Sequence, residues 1–91
     1  MTAPTYDLVA LRAAANKACE LAYEKKDDIE GAINWGDFGC YEARRYETDR
    51  GETGYSVSIE EASPAASKLM FFIMQELNRS GFENIEVQLE W

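Results

Sequence analysis

The sequence predicts an α+β domain in the order α-β-β-α-β, a small three-stranded sheet with two helices packed on one face. Three observations lead there. Two stretches space their apolar residues helically, three alternate apolar with polar, and glycines, prolines or hydroxyl residues punctuate the boundaries. Ninety-one residues make a single acidic domain, 1–91, with 46% apolar and 29% charged residues, the composition of a folded chain.

Thr5, after Pro4, reads as the cap of a first helix starting at Tyr6, with Asp7 in its first turn. At about 100° per residue, Leu8, Leu11, Ala15, Ala18, Cys19 and Ala22 fall on one stripe. The charge run from Glu24 to Asp28 ends the helix, and Gly31 and Gly36 bracket a loop containing Trp35. A strand from Phe38 to Glu47 is expected next. Its facing is open: Cys40, Glu42, Arg44 and Tyr46 share one face, Tyr41, Ala43 and Arg45 the other. Thr48 to Gly54 reverses the chain, longer than a tight two-residue turn. In the second strand Tyr55, Val57 and Ile59 alternate with Ser56, Ser58 and Glu60, which predicts a half-buried strand.

Ser63-Pro64 predicts the start of the second helix, a capping hydroxyl followed by proline at the first helical position. Its stop is Ser80-Gly81, with Phe82 placed to meet Leu77 in a Schellman motif. Between them Ala66, Leu69, Met70, Phe72, Ile73, Met74 and Leu77 span an arc of about 200°, wider than a surface helix needs. The last strand turns Ile85, Val87, Leu89 and Trp91 inward and Glu86, Gln88 and Glu90 outward. If the second and third strands are parallel, their connection is a right-handed crossover.

Composition excludes much chemistry. There is no histidine, so no Ser-His-Asp or Cys-His pair, no H-E-x-x-H and no Cys/His zinc site is available. Cys19 and Cys40 form no C-x-x-C and read as core-filling thiols. Glycine-rich phosphate loops are missing, and Asp37-Phe38-Gly39 lacks every other kinase signature. Asp27, Asp28 and Glu30 lack the spacing of a calcium loop. No enzyme, cofactor or metal is therefore expected. The longest apolar run, Leu69 to Met74, is too short to span a membrane, and the first residues lack the pattern of a signal peptide. A reduced, cytoplasmic chain is expected.

Seventeen acids against nine bases leave a net charge of -8. Residues 46–91 hold nine acids and three bases, against eight and six in residues 1–45. The candidate partner-binding carboxylates are Glu47, Asp49 and Glu52 on the reversal and Glu60, Glu86 and Glu90 on outward strand positions. Such a face repels free nucleic acid and is drawn to basic protein grooves; the competing reading is a solvated surface that keeps the chain soluble. Arg44, Arg45 and Arg50, interleaved with Tyr41 and Tyr46, suggest a phosphate-contacting patch, or else pairing with Glu42, Glu47 and Asp49. Trp35 is a candidate apolar anchor, or a lid where the loop crosses a helix end. Phe71 falls outside the apolar arc, so either the first helix covers it or it meets a partner, such as a second copy of the chain. Glu76 projects into that arc and reads as a snorkelling side chain.

In its size, acidity and element order around Asp49 to Trp91, the chain resembles small phage-encoded anti-defence proteins of the anti-CRISPR type. That resemblance implies a non-enzymatic inhibitor in the host cytoplasm that binds a CRISPR effector complex and blocks its guide RNA or target DNA path. Carboxylates of the hairpin and sheet would meet the basic residues that hold nucleic acid. Two other classes stand beside it. One is a structural or regulatory subunit that forms a homodimer or larger assembly through helix 2. The other is an enzyme using carboxylates and tyrosines alone, which needs a cleft seldom found in so small a domain.

Overall fold

A computed structural model describes residues 5–91 and runs α1 (Leu8–Glu24), a 3-10 turn (Lys26–Asp28), β1 (Gly39–Glu47), β2 (Thr53–Glu60), α2 (Ser67–Arg79) and β3 (Ile85–Glu90). The sheet order is β1-β2-β3, with β1 antiparallel and β3 parallel to the central β2. Both helices pack on one face, α1 chiefly against β1 and α2 against β3, and against each other. This is the expected α+β architecture.

The first helix begins later than Thr5 suggests. Asp7 is the cap: its Oδ1 accepts the Val9 amide at 3.0 Å while its backbone stays extended. Pro4 lies outside the described residues. Tyr6, expected in the helix, instead wedges between β2 and the end of α2. Its amide donates to the Tyr55 hydroxyl at 3.0 Å, its own hydroxyl accepts from Glu83 N at 3.0 Å, and its ring meets Tyr55 and Phe82, each at 5.0 Å. Leu11, Ala15, Ala18, Cys19 and Ala22 form the buried stripe, while Leu8, the first residue of the helix, is exposed.

The start of α2 is displaced as well. Ser63 does cap, with Oγ accepting from Ala65 N at 3.2 Å, but it caps only a turn. Backbone bonds from Asn34 N to Glu61 O and from Ser63 N to Ala32 O, both 2.8 Å, bind this stretch to the 32–34 loop as a short bridge. Ala66, at φ -77° and ψ 73°, then separates turn from helix. At the other end the expected Schellman geometry is present. Gly81 at φ 93° lets its amide reach Asn78 O at 3.0 Å, and Phe82 N reaches Leu77 O at 2.9 Å.

Leu11, Val57, Ile59, Leu69, Ile73 and Leu77 are the large side chains at the centre of the core. Ile85, Val87 and Leu89 close it from β3, but Trp91 does not. It follows the last paired residue and is 71% exposed, so the inward reading fails where the ladder ends. Ser56 and Ser58 correct the picture of a half-exposed β2. Both are 3% exposed, because β2 is central and its register sets Arg44 and Glu42 on one side of them and Glu86 and Gln88 on the other.

Cys19 and Cys40 are free and buried at the contact of α1 with β1, where Cys40 N donates to Asn16 Oδ1 at 3.1 Å. Burial, and then the neighbouring Cys40, pushes the Cys19 thiol up to about 12 from an ordinary 9.0; burial also raises Cys40. Below about pH 9 both folded and unfolded chains keep the protons, so stability is unaffected. Above it only the unfolded chain releases them, and stability falls by about 1.4 kcal/mol per pH unit for each such thiol until the folded thiol itself ionises. Urea unfolding across the alkaline range should show this decline, and Cys19→Ala should make it shallower.

Candidate functional site

The face of the sheet turned away from the helices carries Glu60, Glu86, Glu90 and Arg44 of the predicted site. A bulge in β1 between Cys40 and Glu42 decides what it displays. Cys40 pairs with Ile59 and Ala43 with Val57, so both point to the core. After the bulge, Glu42, Arg44 and Tyr46 lie outward, opposite Ser58, Ser56 and Gly54. Neither sequence alternative for β1 was right along its whole length, since the extra residue exchanges the faces midway. Tyr41, in the bulge, donates its hydroxyl to the Glu90 carboxylate across the sheet.

Tyr46 makes a parallel span at the other end, its hydroxyl 3.3 Å from Glu86 Oε2. Gly54 makes room for it: a Cβ there would collide with the Tyr46 ring. Two tyrosines of one edge strand thus reach over the central strand to two glutamates of the other edge. Gln88 lies between those glutamates and donates from Nε2 to Glu86 Oε1 at 3.3 Å. Arg44 Nε meets Glu42 Oε2 at 3.0 Å on the same face. The pairing is with Glu42, along the strand and not across it.

The electrostatics follow from these contacts. The Glu90 carboxylate holding its hydroxyl raises the Tyr41 phenol above its ordinary range. Burial first, then Glu86, does the same for Tyr46. Glu42 likewise raises the Arg44 guanidinium. Near neutral pH the tyrosines therefore keep their protons and donate, and the carboxylate oxygens accept. The face is built to accept hydrogen bonds and positive charge.

Glu60, Glu86 and Glu90 take the expected outward positions, and Glu47, Asp49 and Glu52 sit exposed at and beside the reversal. That turn is closed by Thr48, whose amide donates to Glu52 O at 2.8 Å and whose Oγ1 accepts from Glu52 N at 3.2 Å. The three arginines are not brought together. Arg44 is on the outer face, Arg45 pairs with Tyr55 and takes the opposite side, and Arg50 is at the turn. Trp35 is half-buried, packed on the core beside Phe38 and Tyr23. Phe71 is not covered by α1: it is 61% exposed, with Met74 exposed on the same helix. Glu76 is held by Arg79 Nη1 at 3.0 Å instead of reaching solvent alone.

The tyrosine–glutamate spans escaped the sequence reading because they depend on the bulge. One signal was legible, a glycine in β2 where an alternating strand would place a side chain beside a tyrosine. No described helix is long and apolar enough to cross a membrane. Compared with protein-family models, with curated proteins and with solved structures, the chain matches none.

Proposed function

We propose that this protein is a non-enzymatic inhibitor that acts in the cytoplasm by covering a basic, nucleic-acid-binding surface of a protein complex. The complex meant is a CRISPR effector, whose guide RNA or target DNA path the inhibitor blocks. One observation supports the reading above others, the segregation of charge. The outer sheet face and hairpin turn carry Glu42, Asp49, Glu52, Glu60, Glu86 and Glu90 against only Arg44 and Arg50, a ratio of three acids to each base. The rest of the chain holds the remaining eleven acids against seven bases, a much lower ratio.

A carboxylate surface of this kind steers toward a cationic groove over long range and meets lysines and arginines that otherwise hold phosphates. The sheet makes it rigid, and the tyrosine spans fix Glu86 and Glu90 before contact, which lowers the ordering cost of binding. The same charge repels free nucleic acid, so the partner is protein. Capture of the effector complex on immobilised protein tests this. Binding should be strong at about 50 mM salt and largely lost at about 500 mM, as the screening length falls from about 14 to about 4 Å. Absent or salt-insensitive capture would refute it.

The exposure of Phe71 and Met74 favours a second reading, a structural or regulatory subunit that self-associates through α2. Light scattering separates the two. That reading expects a stable dimer converted to monomer by Phe71→Asp, whereas an inhibitor acting through its sheet face stays monomeric.

A further inference from the structure

On the helix side, between α1 and the loop leading into β1, lies an open crevice of about 530 Å³ that the sheet-face reading does not use. Three aromatic rings wall it. Tyr23 and Trp35 have centroids 6.1 Å apart at 71°, and Trp35 and Phe38 are 5.0 Å apart at 67°. Each ring stands nearly upright to the next, so together they form a corner and not a slot. Glu20 and Glu24, on the same helix as Tyr23, add two carboxylates to the lining, and among the described residues no basic side chain lines it. Glu20 is held only loosely by Lys17, at 3.8 Å between exposed groups, a pairing that leaves its charge available. Outside the crevice, the chain's own Lys26 sets its Nζ 4.5 Å from the Tyr23 ring centre, so this ring already receives one ammonium.

We propose that this crevice binds a lysine side chain presented by a partner protein. The four-carbon stem packs on Trp35 and Phe38, and the ammonium lies over ring faces within reach of Glu20 and Glu24. The corner geometry selects among cations. A compact ammonium meets two upright rings at once, while a planar guanidinium needs one flat, open face. The volume falls in the range of side-chain and small-ligand pockets. This site is independent of the outer sheet face, shares no residue with it, and can be disabled alone.

The test is a titration of the full-length, isotope-labelled protein with a capped pentapeptide bearing one central lysine between neutral residues. The readout is the Trp35 indole N–H resonance, told apart from Trp91 by the Trp91→Phe variant. Matched peptides carry norleucine or arginine at the centre. A saturable shift is expected with lysine, with affinity about fivefold or more above norleucine and above arginine. Glu20→Gln with Glu24→Gln should lower the lysine affinity about fivefold while leaving resonances far from the crevice in place. No saturable shift, equal binding of norleucine, preference for arginine, or full affinity in the double variant would each overturn the proposal. None of these outcomes bears on capture through the sheet face, which those variants leave intact.

Discussion

Leu69→Ala is expected to lower the stability of the folded chain by about 3–5 kcal/mol and its melting temperature by about 15–25 °C. Leu69 is fully buried on the face of α2 that meets α1 and the sheet, beside the equally buried Ile73 and Leu77. Removing its branched end forfeits the transfer free energy of three carbons and leaves a void that rigid neighbours fill poorly. A domain of this length has about 5–14 kcal/mol in total, so one such cavity consumes a large share. Thermal unfolding followed by far-ultraviolet circular dichroism reads the change. A loss below about 1 kcal/mol would mean that α2 does not occupy the centre of the core.

Gly31→Ala should cost about 2–4 kcal/mol, far more than glycine-to-alanine changes in ordinary loops. Two separate penalties meet there. Gly31 has φ 137°, a conformation that side chains with a Cβ avoid. An added Cβ would also lie 2.8 Å from the Cβ of Ala66 and 3.3 Å from its Cα. Ala66 is 1% exposed and cannot retreat, because it sits where the turn after Ser63 hands over to α2. The substitution thus prises the 32–34 loop from the 61–63 stretch and breaks their bridge. Gly51→Ala provides the comparison, having a positive φ of 76° but no heavy atom within 4 Å. It should show the backbone penalty alone, about 1 kcal/mol. Equal effects at the two positions would remove the packing argument.

Much of the fold was legible because its signals are local. The stripe from Leu11 to Ala22 and the alternation in β3 read directly, since helical and strand periods are set by backbone geometry. The Schellman stop at Gly81 read as clearly, because three adjacent residues define it. Failures occurred where distant contacts decide. Ser63-Pro64 has every mark of a helix start, yet a bridge to Ile33 and the packing of Ala66 delay the helix to Ser67. Tyr6 looked helical and is held outside by Tyr55 and Glu83, neither near it in sequence. Trp91 kept the inward phase of β3, but phase has no force beyond the last paired residue.

The candidate site was half legible for the same reason. Outward placement of Glu60, Glu86 and Glu90 follows from strand period. Which β1 residues join them depends on a bulge that no residue type announces, and with it the tyrosine spans. Charge could be counted along the chain, but its division between the two faces and the turn required the register.

The central claim is that these carboxylates dock onto a cationic counterpart. The most direct measurement compares the wild-type protein with one carrying Glu47→Gln, Asp49→Asn, Glu52→Gln, Glu60→Gln, Glu86→Gln and Glu90→Gln as competitors of target DNA for the effector complex. All six lie on exposed surface, so folding should survive, which the melting curve verifies. The wild-type chain should displace DNA, and the neutralised chain should need at least about a hundredfold higher concentration, as expected when several interfacial charges are lost together. Equal potency of the two, or failure of the wild-type chain to displace DNA at all, would contradict the account.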